Sequence, residues 1–358
     1  MTETKKISAG QLMLLLLLAR IMHTMIYRSN DFVSGTPLML GLVCTTAAEA
    51  LIALPAVLYF QKGGADPAAE IGGKFTPLVK LLYSVYFIGI ASGTISLFAE
   101  FLYVEFPKGV APIAAIIFLA VTAAYCANLG VEGLARAGTV VFWMFVIMFV
   151  VMATVSQGSF DWLNIRPFTA GDSDQFWKYV IESLSSSWWL PMLCALGVHL
   201  RSGAAKTAYG YLALKLVILE ILLLLITLVL WRYVGMLGYP LLALGAYAKS
   251  DFIQRFDSIN MLIWAINCSL VLGVYVFISS RPVNKYRPAA MISAAAAAAL
   301  GIYEFKHGLR FDAPWFLAFK LIGIALLGVV IPASALIKLA ARRKTAAPVR
   351  SVKESCSE

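Results

Sequence analysis

Apolar residues run through the chain in ten long stretches, near residues 8–27, 36–60, 81–103, 110–127, 137–156, 176–198, 208–231, 257–279, 288–303 and 314–337. Most approach the roughly 20 residues that an α-helix needs to cross ~30 Å of hydrocarbon. Two of them carry polar residues where a helix break is expected. The first sets Arg20, His23 and Thr24 inside a leucine-rich run. The sixth contains Ser185-Ser186-Ser187-Trp188-Trp189-Leu190-Pro191. There Pro191 withdraws a backbone donor and frees a carbonyl one turn earlier, and nearby hydroxyls can satisfy the groups so exposed.

Composition makes the bilayer the solvent. The 358 residues are 61% hydrophobic and 13% charged, with mean hydropathy +0.82. A soluble domain would expose most of that surface. The opening run is long and is not followed by a small-x-small cleavage site, so it is expected to stay as a helix. With ten crossings and the N-terminus inside, 17 of the 29 Lys and Arg residues fall on inner segments and 9 on outer ones, while Arg20, Lys215 and Lys320 lie within spans. The positive-inside rule then puts both termini in the cytoplasm. The net charge of +10 is mostly this bias plus a basic tail over 341–358, which is expected to be disordered. The longest connections, about 157–173 and 236–254, are too short to fold alone, which excludes a nucleic-acid-binding domain. Cys44, Cys126, Cys194 and Cys268 lie in or at the ends of apolar runs and Cys356 in the tail, with neither disulfide nor metal spacing.

Candidate chemistry lies inside the membrane, where each ionisable group needs a partner or a cavity. Arg20, His23, Thr24 and Tyr27 share one helical face, which suits a polar wall for an anionic group such as an amino-acid carboxylate. Alternatively Arg20 is a structural cation held by Glu49 of the next run. Ser186, Ser187 and Trp188 mark the second candidate wall, against the alternative of a plain kink at Pro191. The third run carries a stripe that includes Tyr83, Tyr86, Ser92, Ser96 and Glu100. Lys215 and Glu220 are five apart on one helix, hence on different faces, and are expected to pair with other helices. No phosphate-cradling loop, metal cluster or nucleophile with a placed base is present. Neither enzymatic activity nor a cofactor is expected.

Several short motifs, in order, carry a resemblance. They are Lys6-Ile7-Ser8-Ala9-Gly10-Gln11-Leu12, Glu70-Ile71-Gly72-Gly73-Lys74-Phe75, Leu129-Gly130-Val131-Glu132-Gly133-Leu134-Ala135-Arg136-Ala137, Arg255-Phe256-Asp257-Ser258 followed by Trp264, and Ile331-Pro332. Over about 7–340 the chain resembles the integral-membrane B subunit of GerA-type spore germinant receptors, a branch of the amino acid–polyamine–organocation superfamily. Two departures are an Arg20/His23 pair where that family often has glycine, and Pro107-Lys108-Gly109-Val110-Ala111-Pro112 after the third run.

The resemblance implies an all-α integral membrane protein of ten transmembrane helices in a LeuT-like five-plus-five inverted repeat. It would form one domain over 1–340, with repeats over about 8–156 and 174–340. A nutrient, expected to be an amino acid, would bind between spans one, three, six and eight near the midplane. The expected ligand residues are Arg20, His23, Thr24, Tyr86, Ser186, Ser187, Trp188 and Trp264. Glu49, Glu100, Gly130, Glu132, Arg136, Pro191, Glu220, Arg255 and Asp257 are expected to serve packing or coupling. The implied partners are an A-type membrane subunit and a C-type lipoprotein, in the inner membrane of a spore or the cell membrane of a spore former. A secondary amino-acid or amine transporter, or a scaffold without ligand, are the rival readings.

Overall fold

The computed structural model describes residues 6–25, 35–105, 111–165, 167–169, 172–231, 233–234, 237–247, 256–281, 288–309, 311 and 313–346. Among these, regular structure is helical apart from one bridge between Ile7 and Leu200. Helix α1 (Ala9–Met25) runs unbroken through Arg20, His23 and Thr24, where a break was expected, and it opens on a capping box. The Gln11 amide donates to Ser8 Oγ at 3.2 Å, and the Ser8 amide donates to Gln11 Oε1 at 3.0 Å. The Ser8-x-x-Gln11 motif therefore has a mechanical meaning: it satisfies donors that the helix start would otherwise leave open. Ser8→Ala is expected to cost about 1 kcal/mol, read as a lower thermal midpoint in detergent.

Helices α2 (Gly35–Ile52) and α3 (Leu54–Gln61) part at Ala53, just before Pro55 in the first turn of α3. They are followed by α4 (Pro67–Gly72), α5 (Thr76–Glu105), α6 (Pro112–Asn128), α7 (Gly130–Val155), α8 (Ser173–Ser185) and α9 (Trp189–Leu196). Then come α10 (Ala204–Leu230), α11 (Pro240–Tyr247), α12 (Phe256–Ser280), α13 (Pro288–Lys306) and α14 (Pro314–Gly323). A π-helical segment, Ile324–Val330, joins α14 to α15 (Ile331–Ala346).

This architecture corrects the ten-span expectation. Among the described residues, seven helices are long and apolar enough to cross a membrane: Gly35–Ile52, Pro67–Glu105, Gly130–Ser159, Ala204–Leu230, Ser258–Ser280, Pro288–Lys306 and Pro314–Arg342. Helices α1 and α6 have 17 residues each, about 26 Å at the helical rise and short of a ~30 Å core. The 176–198 run is divided into helices of 13 and 8 residues. The protein is therefore all-α with up to seven spanning helices, not a ten-span LeuT-like inverted repeat. The assignment of both termini to the cytoplasm falls with it, because that assignment depended on an even number of crossings. The basic tail begins inside α15, which runs to Ala346; positions 347–358 lie outside the described residues.

The packing puts α12 against α1, α5, α6, α7 and α13, while α2 lies between α8 and α10. The opposite faces carry exposed apolar side chains: Phe118, Val121 and Tyr125 on α6, Trp143 and Ile147 on α7, Ile292 on α13 and Ile322 on α14. So continuous an apolar coat fits a lipid environment and not water.

The π-helical segment faces the start of α9. A Cβ on Gly328 would lie 2.9 Å from Leu190 Cβ, 3.1 Å from Pro191 Cδ and 3.4 Å from the Pro191 nitrogen. The Tyr83 hydroxyl donates to the Leu327 carbonyl at 2.8 Å, using an acceptor within the irregular turn. Because the atoms facing Gly328 belong to the backbone and to side-chain roots, they cannot swing away. Gly328→Ala is expected to destabilise by about 1–3 kcal/mol through overpacking, measured by thermal unfolding beside a Gly10→Ala control, where a Cβ meets nothing within 4 Å.

Candidate functional site: a buried polar ladder at the broken helix

The break between α8 and α9 is built by its own serines. Ser185 Oγ and Ser186 Oγ donate to the Glu182 carbonyl at 2.7 and 3.1 Å, and the Ser186 and Ser187 amides close short turns onto Ser183 and Leu184. Pro191 is the third residue of α9, where a backbone N–H has no helical acceptor anyway, so its missing donor does not harm the restart. The chain thus ends one helix and begins another inside a buried region, with Ser185, Ser186, Ser187, Trp188 and Trp189 all buried.

Two polar rungs connect this break to α2. Thr45 and Glu49 are one turn apart on α2, and Ser183 and Ser187 are four residues apart across the end of α8. On the first rung, Ser183 Oγ donates to Thr45 Oγ1 at 3.4 Å. On the second, Ser187 Oγ donates to Glu49 Oε1 at 2.5 Å. A cation adjoins each rung. Arg20 of α1 donates through Nη2 to Ser183 Oγ at 3.2 Å. Lys215 of α10 donates through Nζ to Glu49 Oε2 at 2.5 Å, with both side chains almost fully buried. The two cations are not equivalent. Glu49 neutralises Lys215, whereas Arg20 is 7% exposed and its Nε is buried without a hydrogen-bond partner. Among the described residues no carboxylate lies at ion-pair distance from Arg20. The alternative in which Glu49 holds Arg20 is therefore not what the geometry shows, since both Glu49 oxygens are engaged elsewhere.

The other candidates fall around this ladder in different ways. Trp188 donates through Nε1 to the Tyr275 hydroxyl at 2.8 Å and meets His23 edge-on, 4.9 Å between ring centres. His23 also lies 5.3 Å from the Phe311 ring, so it forms an aromatic wall one turn beyond Arg20. Thr24 donates back to the Arg20 carbonyl and Ser186 to Glu182, so both hydroxyls serve the backbone. Tyr86 approaches the Lys320 carbonyl at 3.5 Å. Trp264 directs its Nε1 at Met22 Sδ, 3.1 Å away, and packs on Phe98 and Phe101.

Of the expected coupling residues, Gly130 has φ of +78° where α7 begins, and Arg136 pairs with Glu132 at 2.5 Å on an exposed surface. Glu100 is half-buried in the last turns of α5. Glu220 is half-buried with Oε1 lacking a hydrogen-bond partner. Asp257 falls in the first turn of α12, and Arg255 lies outside the described residues.

Sequence reasoning passed over Ser183 and Thr45, although each stands four residues before a residue it singled out, and it missed the Tyr275 partner of Trp188. Glu304 was also missed; it accepts from Ser92 Oγ at 2.9 Å between α13 and α5. A separate cavity of about 20 Å³, enough for a single water, lies among Asp66, Lys80, Tyr83, Cys194 and Arg281. Arg281 there donates to the Ala195 carbonyl at the end of α9. Burial draws its guanidinium below its ordinary value, and the Asp66 carboxylate opposes that shift.

The fold and this polar cluster define an all-helical, membrane-type protein with charged side chains buried in its interior. Residues 68–286 match the spore germination protein family, and the chain belongs to that family. The match covers the α8–α9 break and Lys215 and stops short of α1, α2 and α14, so Arg20, Glu49 and Lys320 lie outside it. No curated protein matches the chain. Among the described residues no group of three or more His, Cys, Asp or Glu could hold a metal. Family membership accords with a non-catalytic, transporter-like protein.

Proposed function

We propose that this chain is the nutrient-binding B-type membrane subunit of a spore germinant receptor, residing in the inner membrane of the spore. Its ligand is a small carboxylate, an amino acid, received by Arg20. The observation that carries this reading is a guanidinium more than nine-tenths buried, with Nε unpartnered, beside a helix break. A bidentate carboxylate is the natural complement of that fork, and a buried cation without an anion is otherwise costly. His23, one turn along α1, and Trp188 packed edge-on against it would give an aromatic wall for the rest of the ligand. Occupation would shift a helix-packing equilibrium by no more than the ligand's differential affinity for the two states. The A-type membrane subunit and the C-type lipoprotein would receive that shift.

The test is thermal unfolding of the full chain in detergent against the proteinogenic L-amino acids and their decarboxylated amines. Stabilisation by at least one amino acid and by none of the amines is expected. No shift with any carboxylate would reject the site. Gradient-driven uptake of the stabilising amino acid into proteoliposomes would move the assignment to a transporter.

A further inference from the structure

The Arg20 reading leaves unexplained why a carboxylate of the protein itself does not neutralise so costly a cation. Glu49 is well placed to do so. Thr45, one turn before it on α2, accepts from Ser183, and Ser183 accepts from Arg20. One helical turn advances about 5.4 Å, within the reach of a glutamate side chain that changes rotamer. The charges of Arg20 and Glu49 both act on Lys215, so the three groups share one buried electrostatic neighbourhood. What holds Glu49 away is the pair of short contacts on its two oxygens, from Lys215 Nζ and Ser187 Oγ.

We infer that Lys215 is a specificity-determining positioning residue: by sequestering Glu49 it keeps the Arg20 guanidinium open to an external carboxylate. This inference rests on the Arg20 reading above and assigns Lys215 no contact with the ligand. It accounts for a lysine in the middle of α10 that a simple apolar helix would not carry. It also accounts for a carboxylate gripped from two sides when one partner would neutralise it. With Lys215 removed, Glu49 becomes the uncompensated group, and the neighbouring cation with an unpartnered nitrogen is Arg20. The protein's own acid then occupies the place of the ligand's.

The experiment measures binding and unfolding of the full chain in detergent, with the proteinogenic L-amino acids as probes. Lys215→Met is expected to weaken the stabilising amino acid at least about tenfold, and Glu49→Gln/Lys215→Met to restore it to within about threefold of the natural chain. A merely structural role for Lys215 would not be rescued by altering Glu49. Equal binding by Lys215→Met, or failure of the double variant to recover, overturns the inference. Glu49→Gln alone removes the competitor and is expected to bind at least as well as the natural chain, and loss of binding there overturns it even if Lys215→Met does not fold.

A ligand-free arm separates this inference from the Arg20 reading. In a cycle of Arg20→Gln and Glu49→Gln, the unfolding equilibrium is expected to show only a small coupling, well under about tenfold, while Lys215 is present. In the Lys215→Met background a coupling of about tenfold or more is expected. Absence of coupling in that background sinks the inference, whatever the amino acids do.

Discussion

Glu49→Leu is expected to lower the stability of the detergent-solubilised chain by about 3–5 kcal/mol, the usual cost of stripping one partner from a buried ion pair. The variant leaves Lys215, fully buried on α10, facing a hydrocarbon side chain, and leaves Ser187 without its acceptor. It also leaves Arg20 and Lys215 in one neighbourhood with no anion between them. Lys215→Met is expected to cost less, because the surviving carboxylate has a second cation within reach, whereas the surviving lysine has only the like charge of Arg20 beside it. The order of the two variants is the informative part. Midpoints from thermal or denaturant unfolding, taken beside the neutral pair Glu49→Gln/Lys215→Met, decide it. Equal losses in the two single variants would mean that Glu49 gains nothing from Arg20. A double variant as damaged as Glu49→Leu would mean that the site matters for its shape and not for its charge.

Much of the helical framework could be read from hydropathy alone. The run near 208–231 became Ala204–Leu230, and the run near 257–279 became Phe256–Ser280. The number of spans could not be read, because an apolar run need not mark where its backbone stops being helical. The 36–60 run is divided at Ala53 ahead of Pro55 while staying hydrophobic across the interruption, whereas the break of the 176–198 run over Ser186–Trp188 was marked by its serines. The π-helical segment Ile324–Val330 left no legible signal beyond Pro332 downstream of it.

At the site, sequence singled out Arg20, Glu49 and Ser187 one by one. Helical spacing of three and four residues identifies neighbours on one helix, such as Thr45 with Glu49. It is silent on which face of α2 meets α8 or α10. That is why Lys215 was excluded from a pair with Glu220 while its partner Glu49 stayed unread. Choosing between Arg20 and Lys215 as the holder of Glu49 needed the packing of four helices.

Arg20→Met separates a ligand site from a structural cation more sharply than any other change. If Arg20 exists to receive a carboxylate, the variant is expected to lose amino-acid binding by a factor of about 100 or more, the range for deleting one partner of a buried charge-assisted contact. Its stability is expected to hold or rise. A charged arginine in the membrane interior costs at least about 2.5–3.5 kcal/mol, while a hydrogen bond from a charged group returns about 1.5–3 kcal/mol. Arg20 makes one such bond, to Ser183. Methionine keeps the length and the packing of the arginine stem against its neighbours. A structural cation gives the opposite result, since removing it would destabilise the fold and leave ligand response governed by stability alone. The measurement is a thermal midpoint with and without the stabilising amino acid, for the natural chain and for Arg20→Met. A variant that unfolds several degrees earlier, yet is still shifted by the same amino acid, would remove Arg20 from the binding site. A variant at least as stable as the natural chain, and indifferent to every amino acid, is the outcome that the unpartnered Nε requires.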